Sequence, residues 1–264
     1  MKKYFPQFIL LIWLFTVVIA TQVALYPNAI DLTGILRSPS FEYWLGQDDL
    51  GRSILHRLIA GAETSLIVSF SVTLFSAILG VSIGSMAAWF GGLTEHILVR
   101  VIDLFMAFPG ILLAIALASI LGPGINNLVI ALSLVGWVGF ARLTRAQVLS
   151  IKHRDHVMAA QAMGTTTIVI IIKHILPLIV APLIIEATFS IASVIIAEAG
   201  LSFLGIGIQP PEASWGNMIR DGARYLLIAP HLVIAPGVAL ALVVLSINLL
   251  GDQLRDRLDK KQII

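Results

Sequence analysis

Long apolar runs separated by shorter charged stretches dominate the chain. They cover residues 8–25, 66–90, 101–121, 128–148, 178–197 and 232–250. Each is long enough to cross a hydrocarbon layer about 30 Å thick, allowing for ends that run a little past it. Helices are the form expected, because lipid satisfies no backbone N–H or C=O group. The pattern therefore predicts an all-α, polytopic membrane protein with six transmembrane helices. With no tandem repeat, low-complexity tract or flexible linker, residues 1–264 read as a single domain. The first run follows Met1-Lys2-Lys3, as a signal peptide would. It exceeds the usual signal core of about 7–15 residues and ends in the bulky Val23-Ala24-Leu25-Tyr26-Pro27, so it is expected to stay in place as a span.

Composition agrees with the pattern. Apolar residues make up 58% of the chain and charged residues 12%, with a mean hydropathy of +0.96. Ordinary globular domains carry about 25% charged residues. The formal charge of +2 is too small to point to a nucleic-acid partner, and the absence of cysteine removes disulfides, thiolate metal sites and cysteine nucleophiles. Basic residues set the orientation. With the N-terminus in the cytoplasm, twelve of the seventeen Lys and Arg residues fall on the inside and five on the outside, which places both termini inside. Three longer segments then lie between spans. Residues 26–65 and 200–231 are external, and residues 149–177 are internal.

An energy source within the chain is not evident. None of the six lysines follows a glycine, so there is no Walker A loop. The sequence has no His-Glu-x-x-His zinc helix, and Gly200-Leu201-Ser202-Phe203-Leu204-Gly205 has the wrong spacing for a nucleophile elbow. His153 and His156 beside Asp155 read as solvated loop residues rather than a metal pair. No catalytic residue and no metal site is expected. Ion-coupled carriers need ionisable groups at membrane depth, and only Glu186 lies well inside a span. Glu186 is read either as a packed, hydrogen-bonded glutamate or as part of a polar path. An ion-gradient-driven secondary carrier is the alternative to the reading developed below.

The internal segment is the most informative. It reads His156-Val157-Met158-Ala159-Ala160-Gln161-Ala162-Met163-Gly164, then twelve residues, then Pro177. Small side chains at Ala159, Ala160 and Ala162 allow close backbone approach, Gly164 permits a turn, and Pro177 suits the first turn of the next span. A helix, a turn and a second helix would suit docking to a soluble partner. A tight hairpin without a partner is the plainer alternative.

This segment resembles the EAA loop of ABC-importer permeases. Three further stretches narrow the resemblance. The first is Leu45-Gly46-Gln47-Asp48-Asp49-Leu50-Gly51-Arg52-Ser53. The second is Glu198-Ala199-Gly200-Leu201-Ser202-Phe203-Leu204-Gly205, continuing to Gln209-Pro210-Pro211 and Ser214-Trp215-Gly216-Asn217. The third is Pro236-Gly237 with Asn248-Leu249-Leu250-Gly251-Asp252. Together they are similar to the second permease subunit of dipeptide, oligopeptide and nickel importers over residues 40–260. The resemblance implies a type I ABC-importer permease fold in the bacterial inner membrane and a non-catalytic transport subunit. The partners it implies are a second, paralogous permease, two ATPases that bind ATP and Mg, and an extracytoplasmic binding protein. It assigns Ala159, Ala160, Gln161, Ala162, Gly164 and Pro177 to ATPase coupling. Glu186, Glu198, Phe203, Trp215, Asp48, Asp49 and Arg52 are candidates for the translocation path or the binding-protein contact. Their plainer readings stay open: an interfacial cap for Phe203 and Trp215, and a helix N-cap for Asp48 or Asp49, which is favoured. Departures from the family pattern are visible, among them a short arm of about seven residues before the first span. Met158 stands where the loop's namesake Glu would be, and Glu186 stands where relatives often have an uncharged polar residue.

Overall fold

The computed structural model describes residues 4–22 and 25–262. Lys2, Lys3 and residues 23 and 24 of the first expected span lie outside the described residues, as do the side chains of Lys260 and Lys261. Ten α-helices make up the described chain: α1 (Phe5–Gln22), α2 (Ile54–Phe90), α3 (Gly92–Met106), α4 (Gly110–Leu121), α5 (Ile125–Ile151), α6 (Asp155–Ala162), α7 (Thr167–Ile170), α8 (Leu176–Phe203), α9 (Trp215–Ala223) and α10 (His231–Gln262). A wide π turn, Ile171–Ile175, joins α7 to α8. Pro177, just beyond it, has no N–H to offer the carbonyl four residues back, and an insertion of this kind absorbs that mismatch.

Among the described residues, four helical stretches are long and apolar enough to cross a membrane: α2, α5, the run Thr167–Phe203 and residues His231–Leu258 of α10. A fifth crossing requires α3 and α4 to act together, and they are bent by 87°. The single straight span expected over 101–121 is therefore corrected to two helices. Pro109 forces the break, because its ring excludes the helical hydrogen bond and disfavours helical backbone at Phe108. Pro109 stands as the N-cap of α4. The second expected span is corrected at its start. Helix α2 begins at Ile54 rather than near residue 66, and its 37 residues extend about 55 Å at 1.5 Å per residue. Polar His56, Arg57 and Glu63 hide this first part from hydropathy without preventing a helix.

Helices α2 and α5 form the centre. Ser76, Gly80, Gly84 and Ala88 recur every fourth residue on α2 and are all buried. This spacing lets helix backbones approach closely in a membrane. A Cβ on Gly80 would run into the Trp137 carbonyl, and one on Gly84 into that of Ala141. Beside this contact the Thr73 and Ser190 hydroxyls lie 3.3 Å apart, linking α2 to α8. At one end of the bundle Ala62, Trp13, Trp215, Met218, Leu232 and Ile247 pack into one cluster that gathers α1, α2, α9 and α10. Gln7 of α1 donates to Gln253 of α10 at 2.8 Å, so the start of α1 lies beside the later part of α10.

Candidate functional site

The hairpin between α5 and α8 is built by its own backbone chemistry. Helix α6 closes with the Thr165 N–H donating to the Ala160 carbonyl at 3.1 Å and the Gly164 N–H to that of Gln161 at 2.9 Å. That pair of bonds is a Schellman closure, which needs a left-handed residue between helix end and exit. Gly164, at φ +78°, supplies it. Val157 and Ala160 point inward and pack with Ala88, Val148, Ile151, Ile170, Ile175 and Ile179. Ala159, Gln161, Ala162 and Gly164 face outward, as does Pro177 on the following helix. The exposed surface also carries Met158, Met163 and Ile168, at 46, 79 and 69% exposure. Of the residues assigned to coupling, Ala160 alone is buried and anchors the hairpin from inside. Two further bonds fasten the hairpin to the bundle. The Trp89 indole donates to Thr167 Oγ1 at 3.2 Å, and Lys152 Nζ to the Ala88 carbonyl at 2.9 Å.

Asp48, Asp49 and Arg52 occupy the opposite end. The expected N-cap role is corrected: Ser53 caps α2, its hydroxyl accepting from the His56 N–H. Asp48 instead closes the tight turn ahead of it, accepting from the Leu50 and Arg52 N–H groups at 2.9 Å each. Its second oxygen holds Arg52 Nε at 2.7 Å and Arg57 Nε at 3.5 Å. Arg52 and Arg57 are both buried. Asp49 lies 3.7 Å from Arg52, and its burial, reinforced by the Asp48 charge, pushes its carboxyl above the ordinary range. These groups satisfy one another in a knot between the 26–53 segment and α2, with Met218, Asp221 and Gly222 of α9 beside it.

Glu198 and Trp215 are interior residues rather than surface contacts. Glu198 is fully buried, accepting from Ser202 at 2.9 Å and Ser65 at 3.4 Å. The Ser202 hydroxyl in turn accepts from the Ile208 N–H, which folds the 203–208 exit back over α8. Trp215 is 2% exposed, donates to the Leu58 carbonyl at 3.0 Å and has its ring 6.5 Å from that of Trp13, so it packs among the helices rather than standing on the protein surface. Phe203 alone of this group is exposed. Ser214 and Asn217 start α9 with a reciprocal capping box.

Glu186 is placed differently. It sits on the shared wall of two cavities, one of 740 Å³ among α3, α5 and α8 and one of 670 Å³ among α4, α5 and α8. The first is also lined by Asp103, Met106, Gly139, Arg142 and Leu143. The second is apolar apart from Ser190, Ser193 and Glu186. Reasoning from sequence singled out Glu186 but missed Arg142, Asp103 and Gly139 as its neighbours. The residues lie on three helices far apart in the chain, so no local spacing could have joined them.

Comparison with known proteins adds an independent line. Residues 80–264 match the family model described as "Binding-protein-dependent transport system inner membrane component". Over 226 residues the chain is 42% identical to the dipeptide transport system permease protein DppC of Alkalihalophilus pseudofirmus, covering 86% of this chain and 74% of that one. It is 41% identical over 256 residues to a putative peptide transport system permease protein of Brucella suis, covering 95% and 86%. It is 38% identical over 234 residues to the glutathione transport system permease protein GsiD of Escherichia coli, covering 89% and 77%. A chain of the inward-facing MetNI methionine ABC transporter shares the fold, with a TM-score of 0.61 at 19% identity, covering 77% of this chain and 97% of that one.

Proposed function

The chain belongs to the family of inner membrane components of binding-protein-dependent transport systems, and from that premise we propose that it forms half of the translocation path of an ATP-driven importer of dipeptides or oligopeptides. It is a multi-pass membrane transport component, not an enzyme. The proposal joins it to a second, paralogous permease, to two ATPases that carry ATP and Mg, and to an extracytoplasmic binding protein. Peptides are the substrate class because relatives named for peptide, dipeptide and glutathione transport match most of the chain. A nickel chelate is the other solute the sequence resemblance implies. The proposal keeps six crossings, with α1 as the first and the α3–α4 pair as the third, and cytoplasmic termini.

The observation that carries the coupling role is the α6 hairpin. It exposes Ala159, Gln161, Ala162, Met158 and Met163, while Val157 and Ala160 lock it to α2, α5 and α8. A bound ATPase shifts the bundle only by its differential affinity for two arrangements, and a rigid attachment passes that difference on. Mild-detergent purification from native membranes, with mass spectrometry of the co-purifying chains, tests the assembly. A second permease and Walker-A ATPases are expected. Recovery of the chain alone, with peptide uptake that collapses with the ion gradient, would replace this reading by the secondary carrier.

A further inference from the structure

Glu186 carries an ionisable group in the middle of an apolar helix, where such groups are costly and serve a purpose. Among the described residues it forms no hydrogen bond and no ion pair. Its carboxylate leans over Gly139 of α5, where Oε1 lies 2.7 Å from the point a Cβ would occupy. The missing side chain at Gly139 is thus what gives the carboxylate room in the cavity wall. Arg142 follows Gly139 by three residues on the same helix, about 4.5 Å of rise further along. Its guanidinium donates to the Met106 thioether at 3.4 Å, a weak acceptor that leaves its other N–H groups available. Arg145, in the same wall, is already held by Glu95, with Nε 3.1 Å from Oε1. Asp103 on α3 faces the cavity without an ion pair among the described residues. Ile102, Val99, Leu143 and Ala146 supply apolar surface between these charges.

One cavity therefore holds a carboxylate and a guanidinium close enough to feel each other's charge but not joined in an ion pair, with apolar surface beside them. Its 740 Å³ lies within the range of about 300–1,000 Å³ that small-ligand sites occupy. We propose that this cavity is a binding site for a small zwitterion of the short-peptide class, with Glu186 accepting hydrogen bonds from the ammonium group and Arg142 donating to the carboxylate. Asp103 adds negative charge on the ammonium side, and the apolar wall takes the side chains. The proposal rests on the peptide-importer reading and adds to it a recognition step inside the membrane chain.

The test uses the assembled transporter in intact cells and three probes: trialanine, N-acetyl-trialanine and trialanine amide. Each variant is compared with wild type on the same probe, so the preference of the binding protein cancels. Glu186→Gln is expected to cut trialanine uptake about tenfold, the scale of a lost charge-assisted hydrogen bond, and to leave the acetylated peptide unchanged. Arg142→Gln is expected to cut trialanine uptake similarly and to spare the amide, and Glu186→Asp to restore part of the loss. Membrane abundance and ATPase activity of each variant establish that assembly is intact. Equal losses on all three probes, or none, would overturn the site while leaving the importer reading standing. Failure of the wild type to take up any of the three would overturn the peptide reading, and the site with it.

Discussion

Gly164 is the residue on which the exposed hairpin turns. Its φ of +78° is a left-handed conformation that costs a residue bearing a Cβ about 1–2 kcal/mol, although no atom lies within 4 Å of where that Cβ would sit. Gly164→Ala is therefore expected to lower stability by about 1–2 kcal/mol, through backbone strain and not through a clash. Gly164→Trp would place a large ring on the outward face, and uptake is expected to fall to background while the protein remains in the membrane, as membrane blots beside transport assays would show. Normal uptake by the Trp variant would remove this turn from coupling. Asp49 offers a test through pH. Its carboxyl lies above the ordinary value of 3.8 because of burial and the Asp48 charge. The folded state thus holds that proton more tightly than the unfolded chain, and stability falls as pH rises between the two values. Asp49→Asn is expected to raise the melting temperature at pH 7, with the gain disappearing below the unfolded value. A gain that persists at the acid end would place its cause outside this titration.

Among the elements, α9 depends on one side chain. Trp215 fills the space between α1, α2 and α10 and donates its indole N–H to Leu58. Truncation to Ala is expected to cost about 3–5 kcal/mol, read as a lower unfolding temperature in detergent and early proteolysis of the 200–231 segment. Retention of wild-type stability would mean the cluster repacks without it. Element boundaries show what a sequence makes legible. The apolar runs located the helices because lipid selects composition over long windows. The break at Pro109 was legible as well, since Phe108-Pro109-Gly110 carries a turn signal inside an apolar run. Hydropathy averaged it away. The start of α2 at Ile54 was hidden by the charged Arg57 and Glu63, and the place of Arg57 depends on partners elsewhere in the chain. Arg57 is held by Asp48 across the chain turn. At the hairpin, Gly164 and the small residues could be read directly because a turn is a local event. The inward face of Ala160 could not, because its neighbours come from α2, α5 and α8.

For the molecule as a whole, α2 and α5 touch backbone to backbone along Ser76, Gly80 and Gly84. Gly84→Leu would push these helices apart and is expected to prevent accumulation of the protein in membranes, whereas Gly237→Leu, where a Cβ meets nothing within 4 Å, is expected to be tolerated. Similar abundance of the two variants would show that the close contact is dispensable. A seam in which glycines bring the backbones this close, with short side chains such as Ser76 and Thr144 filling what remains, has little soft material to deform. The central pair is therefore expected to behave as a chassis, with flexure falling at joints elsewhere, first among them the elbow at residues 107–109. Because the natural chain has no cysteine, spin labels can be placed singly or in pairs without background. Pairs spanning α2 and α5 should report one fixed distance through a transport cycle, while pairs between α4 and α8 should broaden or shift. The part of this protein that moves would then be the part least tightly cemented to its centre.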